Sequence, residues 1–127
     1  MNSGYGSRTM RIKSGIWVKG YIRRCAVAGV AAVVVRHGDD DAGAIFIRVN
    51  RLDGTSLVFG PAPVGLTGAE TERQWVPCLA PDGVTDSAAD TFLSREAEFD
   101  RDVWVIESED RAGRHFLDGW LASEVGR

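Results

Sequence analysis

Long apolar runs are missing from this 127-residue chain. The longest extends from Cys25 to Val35 and is interrupted in character by Gly29. It falls short of the roughly 17 residues a membrane-spanning helix needs. No apolar segment occupies Met1 to Thr9, so no secretory signal is expected there. Cysteine is scarce as well. Cys25 and Cys78 are the only two, too few for a disulfide framework, and both are expected as thiols in a cytoplasmic protein.

Several reaction classes are excluded by what is not spelled out. There is no Cys-x-x-Cys and no histidine pair at ligand spacing, which removes the common zinc sites. Gly38 to Gly43 has the glycine spacing of a phosphate loop, but Ala44 stands where the lysine must be. No Gly-x-Ser-x-Gly elbow is present. Arg95-Glu96-Ala97-Glu98 resembles part of a pyrophosphohydrolase helix, without the upstream glycine and glutamate that complete it. No metal and no cofactor is therefore expected.

Acidic residues are absent from the first 36 positions. Arg8, Arg11, Lys13, Lys19, Arg23, Arg24 and Arg36 give that segment +7, against −10 for the rest and −3 for the chain. Such segregation suits an anionic partner, packing of one half on the other, or pairing in a dimer.

What is present describes one domain. The length fits a single unit. The 44% apolar and 26% charged content is that of a folded globular chain, which argues against disorder over its length. Residues 1–8 read as a tail, 9–120 as the domain and 121–127 as a second tail.

Trp17, Val18, Tyr21, Ile22, Cys25 and Ala28 recur every three or four residues, which predicts a helix over Arg11–Ala28. Lys19 and Arg23 fall opposite this stripe, and Arg24 lies at its border. Ser14 suits a later start and Gly29 a stop. Ala31–Arg36 is β-branched and apolar on both faces, so it reads as a central strand. Ala44–Leu52 alternates, with Ile45, Ile47 and Val49 on one face and Phe46, Arg48 and Asn50 on the other. Leu57–Phe59 follows after Asp53-Gly54, a strong hairpin signal. The short His37–Gly43 loop suggests that the first two strands pair directly.

Val64–Thr71 reads as a loop. Gln74–Leu79 reads as an edge strand, because Pro77 has no amide to donate. A second helix over Ser87–Glu98 would start with Ser87 and Asp90 as a capping box. Val103–Glu109 and a short His115–Leu117 complete the strands. The expected architecture is α+β: one two-layer domain, a mainly antiparallel sheet with both helices on one face.

Four groups of residues invite a functional reading. Asp39-Asp40-Asp41 offers oxygen ligands to a hard cation, but neighbours in sequence rarely converge on one ion, and a solvated acidic loop is the preferred reading. Glu107, Glu109 and Asp110, near Arg111, Arg114 and His115, suggest a paired acid site or simply the polar face of a hairpin. Lys13, Lys19, Arg23 and Arg24, with Arg8 and Arg11 ahead, suggest a stripe for a phosphate backbone or a solvated helix face. Arg36, Arg48 and Asn50 suggest a polar patch on an open sheet face.

Three longer strings carry a resemblance: RIKSGIWVKGYIRRC (Arg11–Cys25), GDDDAGAIFIRVNRLDG (Gly38–Gly54) and FDRDVWVIESEDRAGRHF (Phe99–Phe116). Over about Arg8–Asp118 the chain resembles DUF1491, a family of small bacterial proteins of unknown function. The resemblance implies a compact cytoplasmic protein and transfers no catalytic residue. The functional expectation is a non-enzymatic binding or adaptor domain, with binding residues among Lys19, Arg23, Arg24, Arg36, Arg48 and Asn50. Its partner would be another protein or a second copy, rather than a membrane. Nucleic-acid binding through the first helix, and a metal-dependent hydrolase using Asp41, Glu107 and Asp110, are the alternatives.

Overall fold

A computed structural model describes residues 11–63 and 73–122. The tail expected at 1–8, the loop expected at Val64–Thr71 and the end of the chain after Ala122 lie outside them. Among the described residues two helices and six strands follow in the order α1 (Ser14–Val27), β1 (Ala32–Arg36), β2 (Ile45–Asn50), β3 (Thr55–Pro61), β4 (Trp75–Cys78), β5 (Val84–Thr85), α2 (Asp86–Phe99) and β6 (Trp104–Glu109). The strands form one sheet in the order β1-β6-β2-β3-β4, with β5 also on β3. All pairs are antiparallel except β2 with β6. The fold is α+β with a mostly antiparallel sheet, as expected.

The helices do not share a face. Ile45, Ile47 and Val49 pack in one cluster with Trp17, Val18, Tyr21 and Cys25 of α1. Phe46 packs in another with Val58 and with Ala89 and Leu93 of α2. Successive strand residues point to opposite sides. The sheet is therefore the middle of three layers, which corrects the two-layer expectation. The physical reason is that both faces of β2 are buried, including the one carrying Arg48.

β1 is the second correction. It is not central and does not pair with β2. The last strand, β6, inserts between them, with Ala32 opposite Ser108 on one side and Ile47 opposite Ile106 on the other. The His37–Ala44 connection thus passes over the end of β6. Glycine makes that possible: a Cβ on Gly38 or Gly43 would sit 2.2 or 2.3 Å from the Asp102 carbonyl oxygen.

Local signals fared well at the hairpin and unevenly at the caps. β2 and β3 pair across a turn in which Asp53 Oδ1 accepts from the Thr55 amide and Gly54 has φ +89°. β4 is an edge strand, with Pro77 exposed. The cap of α2 is Thr85, whose hydroxyl accepts from the Ala88 amide, so Ser87 and Asp90 form no capping box. No strand forms at His115–Leu117, where Phe116 has φ +58°. Val84–Thr85, assigned no element from the sequence, is the short strand β5. Trp120 joins the α1-side core, 5.2 Å from Trp17 between ring centroids.

Candidate functional site

The basic helix and the acidic loop meet at the start of α1. The loop carbonyls of Asp41 and Asp40 accept from the Ser14 and Gly15 amides, which a helix start leaves without internal partners. Asp39 accepts through Oδ2 from its neighbours' amides at 41 and 42. Its carbonyl accepts from Trp104 Nε1 at 2.8 Å. The three aspartates therefore build a cap of negative character where the helix dipole favours it. Among the described residues no cluster of three histidines, cysteines or carboxylates is arranged to hold a metal ion.

The six residues expected to bind do not form one site. Lys19 and Arg23 are exposed on α1. Arg24 is on another flank of that helix. Its Nη1 donates to the Phe116 carbonyl at 3.1 Å and its guanidinium lies 4.1 Å from the centre of the Trp120 ring. Arg36 donates to the Arg101 carbonyl. Arg48 is not on an open face. It is 8% exposed beneath α2, donating to Ser56 Oγ and Asp90 Oδ1, with Asp86 Oδ1 at 3.5 Å and Glu107 Oε1 at 3.9 Å. Asn50 donates to Glu107 Oε2 at 3.3 Å. Arg48 and its partners tie α2 to the sheet.

The acidic residues of the hydrolase reading are likewise separated by their partners. Asp41 lies 3.7 Å from Lys13, Glu107 belongs to the Arg48 network, and Asp110 is held by Arg114 through both carboxylate oxygens. Hydrogen bonds from Arg114 hold the Asp110 carboxyl below the usual carboxylate range. Burial pushes the Cys78 thiol up to about 11, with Glu96 adding to it, and burial also raises Cys25. Neither is activated as a nucleophile at neutral pH.

One exposed apolar surface was not anticipated. Val33, Val34 and Val35 are 57%, 40% and 58% exposed, on an edge strand. Val34 stands opposite Ile106 and so faces α1, while Val33 stands opposite Glu107 and faces α2. The register breaks between Val34 and Arg36, so Val35 is the extra residue of a bulge. The Glu109 amide donates to the Ala31 carbonyl. By the alternation of an antiparallel ladder, Ala31 and Val33 turn their backbone groups toward β6, and Ala32 and Val34 turn theirs outward.

A groove runs along each side of this edge. The one between β1 and α1 has a volume of about 580 Å³, with Ile16, Val18, Ile22, Val34 and Trp104 as its apolar lining. Lys13, Lys19, His37, Asp40 and Asp41 supply its polar rim, so its cations are matched by anions. The one between β1 and α2 has about 320 Å³ and includes Val35, Leu93, Ala97 and Val105, with Arg36 and Glu107 beside them. Sequence alone offered one signal for this surface, a run of valines without an intervening charge. That signal was read as burial.

No helix among the described residues is long and apolar enough to cross a membrane. No curated protein matches the chain. Solved structures do. A crystal structure of a DUF1491 family protein from Caulobacter crescentus CB15 is 39% identical, with a TM-score of 0.70 over 83% of this chain and 94% of that one. An NMR structure of a DUF1491 family protein from the same organism is 38% identical, with a TM-score of 0.69 over 84% and 93%. The solution structure of a protein from A. tumefaciens is 38% identical, with a TM-score of 0.67 over 79% and 86%. The sequence profile of the protein of unknown function DUF1491 matches residues 12–118. This chain belongs to the DUF1491 family.

Proposed function

We propose that the chain is a non-enzymatic binding domain that takes up an extended segment of a protein along β1. The single observation behind this reading is an edge of three exposed valines that no described strand pairs, with a groove on each face. An added strand gains main-chain hydrogen bonds from the outward groups of Ala32 and Val34. Its alternate side chains enter the two grooves, which is how strand addition obtains both affinity and selectivity. Leaving such an edge bare is a liability that proteins usually suppress with charge or proline.

The nucleic-acid reading has less support. Lys13 and Lys19 share their groove with Asp40 and Asp41, and a phosphate backbone would meet carboxylates there. The test is a pull-down of the tagged chain from its native host, in low and in high salt, beside a Val34→Lys variant. A protein retained in both salts by the wild type and lost by the variant is the expected result. Equal capture by both chains, or nucleic acid released by salt, would overturn the reading.

A further inference from the structure

We infer that the segment taken up by β1 carries a lysine or arginine between two apolar residues, with the basic residue opposite Val33. The inference rests on the strand-addition reading above and names the chemistry of its partner. In an antiparallel addition the residues opposite Ala32 and Val34 bond to them through the main chain, and the one opposite Val33 does not. Opposed residues turn their side chains to the same face of a sheet. The two outer residues therefore face α1, as Val34 does, and the middle one faces α2, as Val33 does. The α1-side groove offers the outer pair Ile16, Ile22, Val34 and Trp104. Its lysines match its aspartates in number, so apolar side chains suit it.

Charge selects the middle residue. Three carboxylates, Asp86, Asp90 and Glu107, surround one guanidinium, that of Arg48, so negative charge is in excess there. Glu107 stands opposite Val33 in the ladder, and both Glu107 and Asp90 line the α2-side groove. Asn50 donates to Glu107 Oε2, but no hydrogen bond reaches Oε1 from the described residues, and Arg48 Nη1 lies 3.9 Å away. The Glu107 side chain is 23% exposed. The groove thus holds an acceptor largely withdrawn from water and short of a donor, a costly state for a carboxylate. The other cation of the groove, Arg36, stands opposite Val105 toward the bulge and donates to the Arg101 carbonyl. The unmatched negative charge therefore lies at the Val33 end. A lysine or arginine opposite Val33 lays its aliphatic stem over that exposed valine and brings its charge to Glu107 and Asp90. A second copy paired through β1 about Val33 would supply only another valine at this position and leave the carboxylates unanswered.

Fluorescence polarisation of the full chain with short labelled peptides supplies the test. Each peptide carries Val-Xaa-Val in a serine and threonine background, with Xaa as Lys, Arg, Gln or Glu. The wild type should bind the Lys and Arg peptides at least about tenfold more tightly than the Gln peptide, and the Glu peptide most weakly. Asp90→Asn and Glu107→Gln, checked for folding by circular dichroism, should each narrow the preference for Lys over Gln at least about threefold and leave the affinity for the Gln peptide unchanged. Val34→Lys should abolish binding of all four. The preference itself is read on the wild type, so it does not depend on any variant folding. Wild type that binds the Lys and Gln peptides equally, or the Glu peptide most tightly, overturns the inference, as does a preference that both folded carboxylate variants keep. Where that binding is lost in Val34→Lys, strand addition stands. A wild-type dimer in the ultracentrifuge that Val34→Lys dissociates gives the edge to a second copy, and overturns the inference while strand addition again stands. If no peptide binds at about 1 mM, or binding survives Val34→Lys, both fail.

Discussion

At one edge of the sheet, β4 turns Pro77 outward, and its Trp75 amide donates to the Trp120 carbonyl while Trp75 bridges to Leu121. At the other edge, β1 presents three consecutive valines and no described strand beyond them. Both strands are short. One is closed by a proline and by a returning segment of its own chain. The other carries none of the usual protections except a bulge at its far end. The contrast teaches that this chain can block an edge, and that no described segment blocks the one at β1.

The contrast can be broken most forcefully at the closed edge. Trp75 is fully buried, packs 4.3 Å from Trp17 between ring centroids, and donates from Nε1 to the Ile45 carbonyl. Trp75→Ala should cost about 3–5 kcal/mol of stability, read by denaturant unfolding. Val34→Lys at the open edge should change the stability of a single chain by no more than about 0.5 kcal/mol. A large loss there would mean that β1 serves the monomer's own core.

A strand between the two edges supplies an intermediate case. Arg48→Met should cost about 1–3 kcal/mol, because Asp86, Asp90 and Glu107 lose the cation they share. Chemical unfolding measures it. Unchanged stability would show that the exposed partners are satisfied by water.

The smallest expected effect depends on pH. Asp110 precedes the segment that carries Trp120 to the closed edge, and Arg114 depresses its pKa. A depressed folded pKa gives stability that is present above the unfolded value, near 3.9, and is lost as pH falls through the folded value. Asp110→Asn should therefore melt below wild type at pH 6, and the two curves should converge as the solution becomes strongly acidic. Parallel curves throughout would remove Asp110 as the titrating group.

Much of the fold was legible because its signals are local. The apolar stripe of α1, the Asp-Gly hairpin and the exclusion of Pro77 from the sheet interior all follow from residues within one turn or one strand. The caps were harder. The spacing of Ser87 and Asp90 points to Ser87, and only the backbone path selects Thr85. The functional surface was the least legible part. Lys19 and Arg23 were singled out as a phosphate stripe, whereas the groove beside them is lined with equal numbers of lysines and aspartates.

By itself the sequence determined both described helices, five of the six described strands, the mainly antiparallel α+β class and the family. These depend on periodicity, turn chemistry and long strings of residues. Tertiary structure alone decided the order of the strands and the side on which each helix lies. Burial of both faces of β2 sends α1 and α2 to opposite sides, and β6 returns from the far end of the chain to separate β1 from β2. A run of valines is equally suited to the middle of a sheet and to an edge that awaits a partner. What distinguishes them is which strand lies alongside, and that is fixed by contacts between residues far apart in sequence, as between Ala32 and Ser108.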